Sequence, residues 1–285
     1  MSTNAVRSRY VMAGGVKTHY SEAGDDGPPI VLLHGGGAGS SGDAGFGQTL
    51  SILGKEFRTI AIDSVGGYGG TDTSAPVPLG IQSRVDHLAA FADALCLDKF
   101  AVGGNSQGAW AAAQYALLYP ERVTKLFMVA SATITNAFGI KGEITEGQKV
   151  LQSYDGTREH MKKLLQALIM DQNKITDTLI DMRQASASRP GAAEARQAFQ
   201  EGTRAYIQNP GSKTPFRMDG RLDKITIPTA FVWGENDAFA PPELGKELEA
   251  YLPKTPFHWI PNANHQAQND QPEIVGQIML EFFRG

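Results

Sequence analysis

The chain has 285 residues, 41% of them hydrophobic and 20% charged, enough for one large α/β domain with an insertion. Its 26 Lys and Arg against 30 Asp and Glu leave a formal net charge of −4 and no basic run, which speaks against nucleic acid or an anionic membrane as partner and for a small molecule. Cys96 is the single cysteine, so an intrachain disulfide and a cysteine-built metal site are excluded; in "FADALCLDKF" it reads as a small buried hydrophobe.

From the amino terminus, "MSTNAVRSRY" lacks the apolar core of a signal peptide, and nowhere does the chain approach the roughly 18 apolar residues of a membrane span. A soluble, cytoplasmic protein is expected. Candidate strands follow in "KTHYSEAG", "PIVLLHG", "FRTIAIDS" and "FAVGGNS", with a helix around Ser83 to Leu95. "IVLL" and "TIAI" are continuous apolar runs, as in strands of a parallel sheet covered on both faces, and the alternation reads as βαβ winding. After a further strand, "KLFMVAS", the segment 134–218 shows long polar helical patterns such as "TREHMKKLLQALIM" and no convincing strand. It reads as a helical lid inserted between two parts of the core, 1–133 and 219–285. The β pattern resumes in "IPTAFVWGEND" and "TPFHWIPNANH", and the chain closes on an amphipathic helix, "PEIVGQIMLEFF", in which Ile274, Ile278 and Phe282 recur at helical spacing. The fold class expected is a mostly parallel, doubly wound α/β sheet with one helical insert.

The stretch "AVGGNSQGAW" carries the first chemical signal. Ser106 lies between Gly104 and Gly108, after an apolar run and before an alanine-rich one, the pattern of a sharp strand-to-helix turn that lifts a serine hydroxyl above the sheet edge. An ordinary helix cap uses the same residue types. A serine nucleophile needs a histidine base and a carboxylate behind it, and in elbow-type hydrolases these follow in the order Ser, acid, His. That order leaves His258, inside an apolar strand, and His265, in the loop "PNANHQAQND"; His265 is the better base. Asp237, just past "FVWGEN", is the candidate acid, with Glu235 the weaker one.

The loop "LLHGGGAGSSGDAG" lacks the Lys-Ser/Thr of a phosphate-binding P-loop, and Asp63 leads into a second glycine loop rather than completing a dinucleotide fingerprint. A His-Gly-Gly-Gly loop instead supplies an oxyanion donor, from Gly36 or Gly37, opposite the backbone N–H of Gln107. His34 reads as structural, and no His/Asp grouping has metal-ligand spacing.

With these residues in place the chain resembles the α/β-hydrolase family over nearly its full length. More narrowly, "HGGGAG", "GNSQG" and the stretch "ITEGQKVLQSYDGTREHMKKLL" through "ITDTLIDMRQASASRPG" resemble the meta-cleavage product hydrolases, which split a carbon–carbon bond in ring-fission products of aromatic compounds. The resemblance implies the α/β-hydrolase fold, a cofactor-independent serine hydrolase of 2-hydroxy-6-oxohexa-2,4-dienoates, and the triad Ser106, Asp237 and His265. It also implies an oxyanion hole at Gly36 and Gln107, and substrate contacts from Gly37, Asn105 and Arg183, the last matching the family's lid arginine. No metal is implied; a dimer or larger homo-oligomer is. The chain departs from the family pattern at Gln107, usually Met, at Gln266, usually Trp, and at Gly45, which stands where the family has a further asparagine. A carboxylesterase or lactonase on the same scaffold, and a non-enzymatic binding protein, are the alternative readings.

Overall fold

The computed structural model describes residues 5–209 and 212–285. β1 (Arg7–Ala13) and β2 (Val16–Ala23) form an antiparallel hairpin at one edge of the sheet. Then come β3 (Pro29–Leu33), α1 (Gly42–Leu53), β4 (Arg58–Ile62), α2 (Ile81–Ala94), β5 (Phe100–Asn105), α3 (Gln107–Leu118) and β6 (Val123–Val129). A helical stretch follows, with α4 (Ala132–Phe138), α5 (Glu146–Gln152), α6 (Arg158–Leu168), α7 (Asp177–Ala187) and α8 (Ala192–Ile207). The chain returns through β7 (Thr229–Gly234), α9 (Pro242–Tyr251), β8 (Phe257–Ile260), α10 (Ala267–Asp270) and α11 (Pro272–Arg284).

The eight strands lie in the order β1-β2-β4-β3-β5-β6-β7-β8. β2 meets β4 antiparallel, and every pairing from β4 to β8 is parallel. The runs that contain no polar alternation, "IVLL", "TIAI" and all of β5, are buried on both faces, as parallel strands between helix layers must be. The order reverses at β3, whose neighbours are the later strands β4 and β5. A crevice therefore opens beyond the carboxyl ends of β3 and β5, where an open α/β sheet places its ligands. The glycine loop and Ser106 both emerge there.

Most of the apolar core surrounds the sheet, and a second cluster, built from Met161, Leu164, Leu165 and Leu168 of α6 with Ile180 and Ala187 of α7, reaches Ala38 and Phe239. Among the described residues no strand lies between β6 and β7.

Two local expectations are corrected. Along α11, Ile274 is 44% exposed and Ile278 and Phe282 are only partly buried, while Val275, Met279 and Phe283 face the core. Two apolar rows run four residues apart on this helix, and Gly276 decides between them: a Cβ there would lie 2.8 Å from the Ile52 side chain, so this side is the one pressed against α1. Cys96 is exposed, because α2 ends two residues earlier, at Ala94, and Cys96 takes a left-handed φ of 53° in the turn, leaving Leu97 to enter the core. β1 is not among the candidate strands of the sequence, because its residues are mostly exposed and alternate only weakly.

Candidate active site

Ser106 sits between β5 and α3 with φ 57° and ψ −120°, a backbone conformation that a residue with a side chain adopts only under constraint. Its side chain makes no capping hydrogen bond to α3. The constraint comes from close packing on both sides. A Cβ on Gly104 would lie 2.8 Å from Ala109 N, and one on Gly108 would lie 2.6 Å from His34 O and closer still to Leu33 O. The backbone of Ser106 is anchored as well: its N–H donates to Val129 O and Ala130 O at 3.0 Å, and its carbonyl accepts from Ser131 Oγ at 2.7 Å. Gln107 opens α3, so its N–H is one of the donors a helix leaves without an intrahelical partner, at the positive end of the dipole.

Asp237 and His265 come from the ends of β7 and β8 and meet. The Asp237 side chain is fully buried; Oδ1 accepts from the N–H groups of Phe239 (2.9 Å) and Ala240 (2.6 Å), and Oδ2 lies 2.9 Å from His265 Nδ1. This network leaves Nδ1 the protonated nitrogen and Nε2 the free base. Nε2 is buried and has no hydrogen-bond partner. The Phe239 ring lies over the imidazole, centroids 4.6 Å apart.

The backbone around His265 is held by Asn264 and Asp270, which the sequence motifs do not mark, and by Asn105. Asn264 Oδ1 accepts from Ala238 N and His265 N, Asp270 Oδ2 accepts from Asn264 N, and Asp270 Oδ1 accepts from Met170 N and Asp171 N in the connection after α6. Asn105 Nδ2 donates to His265 O at 3.1 Å and to Val129 O at 3.2 Å, tying the histidine loop to the strand that carries Ser106. Glu235 is exposed, and His258 stays in β8, away from this cluster.

Ser106, His265, Asn105, Gly36 and Gln107 line one cavity of about 280 Å³. Its walls are otherwise apolar, amide-bearing or, at Thr133 and Thr203, hydroxyl-bearing, with Ile81, Leu168, Ile207, Phe216 and Phe239 prominent, and among the described residues His265 is its one titratable side chain. Gln107 Oε1 is buried without a partner beside Gly36, where a Cβ would collide with the Gln107 amide. Gly37 lines a second chamber that shares Gln107, Leu151 and Gln152 with the first.

Arg183 is placed differently from Ser106 and its neighbours. It is 1% exposed, is absent from the cavity walls, and donates from Nη2 to Ala38 O (3.0 Å) and Ser40 Oγ (3.1 Å), with Nε unpartnered. Burial lowers its pKa to about 10. Gly39 allows the approach, since a Cβ there would run into the backbone of Arg183.

His34 pins the same loop. Ser64 N–H donates to its Nε2 at 3.1 Å, so Nδ1 carries the proton shared with Gly35 O at 2.6 Å, and burial pushes its pKa down to about 3. Asp63 accepts from Gly42 N–H at 2.6 Å and Gly70 N–H at 2.7 Å and faces His19, a loop-fixing role. Among the described residues no three His, Cys, Asp or Glu side chains converge to hold a metal ion, and no helix is long and apolar enough to cross a membrane.

The sequence matches the alpha/beta hydrolase fold family over residues 28–272. It is 32% identical to a 2-hydroxy-6-oxo-6-(2'-aminophenyl)hexa-2,4-dienoic acid hydrolase of Metapseudomonas resinovorans, over 99% of this chain and 92% of that one. It is 30% identical to a 2-hydroxy-6-oxononadienedioate/2-hydroxy-6-oxononatrienedioate hydrolase of Paraburkholderia phymatum, over 98% and 96%. A solved meta-cleavage product hydrolase from Pseudomonas fluorescens superposes with a TM-score of 0.80 at 28% identity, covering 97% of both chains.

Proposed function

The chain belongs to the alpha/beta hydrolase fold family and, within it, to the meta-cleavage product hydrolases, and from that premise we propose that it hydrolyses a carbon–carbon bond in a 2-hydroxy-6-oxohexa-2,4-dienoate. In this reading Ser106 is the nucleophile, His265 the general base and acid, and Asp237 the group that keeps the imidazole in the Nδ1–H tautomer. The N–H groups of Gly36 and Gln107 stabilise the oxyanion, worth about 3 kcal/mol per donor.

The reaction runs in two stages. Proton transfer to carbon converts the dienol to a ketone; Ser106 Oγ then adds to C6, the C5–C6 bond breaks, and its electron pair leaves with 2-hydroxypenta-2,4-dienoate. Water hydrolyses the remaining acyl ester to a carboxylic acid and restores Ser106. Asn105 sits where it both lines the cavity and holds His265 O. Gly37 and Arg183 flank the glycine loop on the dienoate side, and the segment 134–218 acts as the lid that excludes bulk water.

The observation that carries this reading is the pairing of a strained, uncapped Ser106 with a buried, unpartnered His265 Nε2 in one cavity. An ester or lactone substrate is the second reading, favoured by the engagement of Arg183 with Ala38 and Ser40 rather than with the cavity. The test is spectrophotometric. The dienolate absorbance of a ring-fission product should bleach on adding enzyme, and Ser106→Ala should lose turnover by several orders of magnitude. Persistent colour alongside turnover of simple aryl esters would establish the ester reading.

A further inference from the structure

Resting on the dienoate reading above, we propose that Thr133 and Asn136, on α4, select a substrate whose C6 group is an aryl ring bearing a hydroxyl. Both residues lie on the one face of α4 that the core does not take. Ile134, Thr135, Ala137 and Phe138 are buried, whereas Thr133 is half-buried and Asn136 exposed, and these two, three residues apart, line the cavity that holds Ser106 and His265. The helix is fixed beside the nucleophile. Its cap, Ser131, accepts from Ile134 N–H at 3.2 Å and donates from the same hydroxyl to Ser106 O at 2.7 Å.

The neighbouring chamber determines which end of the substrate meets α4. Gly37, on the dienoate side, lines that chamber with Gln107, Leu151 and Gln152, whereas Ala132, Thr133, Asn136 and Phe216 line the catalytic cavity and not the chamber. A substrate with its ketone at Ser106 and its dienoate toward Gly37 therefore turns its C6 group toward α4.

What α4 offers there is hydrogen bonding without charge. Other polar side chains of the wall are committed: Gln148 Nε2 donates to Phe239 O at 2.9 Å, Thr203 Oγ1 to Phe199 O at 2.8 Å, and Asn105 Nδ2 to His265 O at 3.1 Å. The Thr133 hydroxyl and the Asn136 carboxamide have no hydrogen-bond partner among the described residues. No Lys, Arg, Asp or Glu lines the cavity, so the matching group is a neutral donor and acceptor, which a hydroxyl is and a carboxylate is not. Phe216, stacked on Trp110 with ring centroids 5.3 Å apart and planes 17° from parallel, is a flat wall for the ring that carries it. A ring without the hydroxyl would cover Thr133 and Asn136 and strip their water without replacing it.

The experiment measures kcat/KM, by loss of dienolate absorbance, for the C6-phenyl dienoate and its ortho-, meta- and para-hydroxyphenyl counterparts, and reads the ratio of each hydroxyphenyl compound to phenyl within one enzyme. Wild type should favour at least one hydroxyphenyl isomer by about tenfold or more, equivalent to about 1.4 kcal/mol. Thr133→Val and Asn136→Leu keep the shape and remove the hydrogen bonding; each should lower that ratio by about threefold or more, and the double variant should bring it to one or below. Thr135→Val, on the same helix, removes a hydroxyl that donates to Ala132 O on the buried face, and should keep the wild-type ratio. A wild type that treats the four compounds alike or prefers phenyl, a preference that survives the double variant, or an equal drop in Thr135→Val would each overturn this assignment and leave the dienoate reading standing. A wild type that bleaches none of the four would overturn the dienoate reading and this assignment with it.

Discussion

Replacing Asp237 by Asn changes one atom, and the structure says what that atom does. Oδ1 accepts from Phe239 N and Ala240 N, and an asparagine oxygen placed there can keep both bonds. The amide nitrogen then takes the place of Oδ2, opposite His265 Nδ1. It is a donor, so Nδ1 must become the acceptor and the proton moves to Nε2, which then cannot take a proton from Ser106. The expected loss in kcat is about 10⁴-fold, equivalent to about 5 kcal/mol of transition-state stabilisation. The cost to the fold is much smaller, roughly 2 kcal/mol, as bonds to a charged acceptor become bonds to a neutral one. Asp237→Ala is the contrasting case, because it leaves two buried N–H groups and Nδ1 unpaired at about 1–3 kcal/mol each. Steady-state kinetics on the dienoate, with urea denaturation of the same preparations, separates the two effects. A folded Asp237→Asn enzyme within tenfold of wild-type kcat would refute the role given to Asp237.

Other outcomes follow from the same contacts. His34 and His87 are buried, with pKa values pushed by burial down to about 3 and about 4. In the unfolded chain both titrate near 6.5, so it binds more protons than the folded one below that pH; stability is fully present above 6.5 and is lost as pH falls toward 4 and then 3. At pH 5 each contributes a loss of about 2 kcal/mol relative to pH 7, read as a lower urea midpoint, and a midpoint that does not move would contradict the buried, neutral assignment. Gly108→Ala forces a Cβ against the carbonyls of Leu33 and His34, and should destabilise by roughly 3 kcal/mol while impairing turnover; wild-type stability would contradict the packing of the turn. Asn105→Ala removes the donor to His265 O and Val129 O. It should cost about 2 kcal/mol of stability and about 10²-fold in kcat through displacement of the imidazole, measured by denaturation and steady-state rates.

The parts that were legible in the sequence are those where covalent geometry or polarity leaves few alternatives. Gly104 and Gly108 are required by the close approach of β5, α3 and the carbonyls after β3, so the turn at Ser106 announces itself in five residues. The strands buried on both faces are plain as unbroken apolar runs; Asp237 follows one of them, β7, and His265 follows the half-buried β8 at the same edge of the sheet. What was not legible depends on tertiary packing. α7 is polar enough to suggest a solvated helix, yet Arg183 is buried because Gly39 lets the loop rest on the backbone of that helix. α11 offers two apolar rows, and only the contact between Gly276 and Ile52 selects one.

The central claim is that one hydroxyl, raised by a strained turn, is activated by one imidazole. Treating the protein with a fluorophosphonate and mapping the adduct by peptide mass spectrometry tests it most directly. A single adduct on Ser106, formed far more slowly in His265→Ala, is the expected result. Modification of a different serine, or labelling of Ser106 at the same rate without the imidazole, would contradict it.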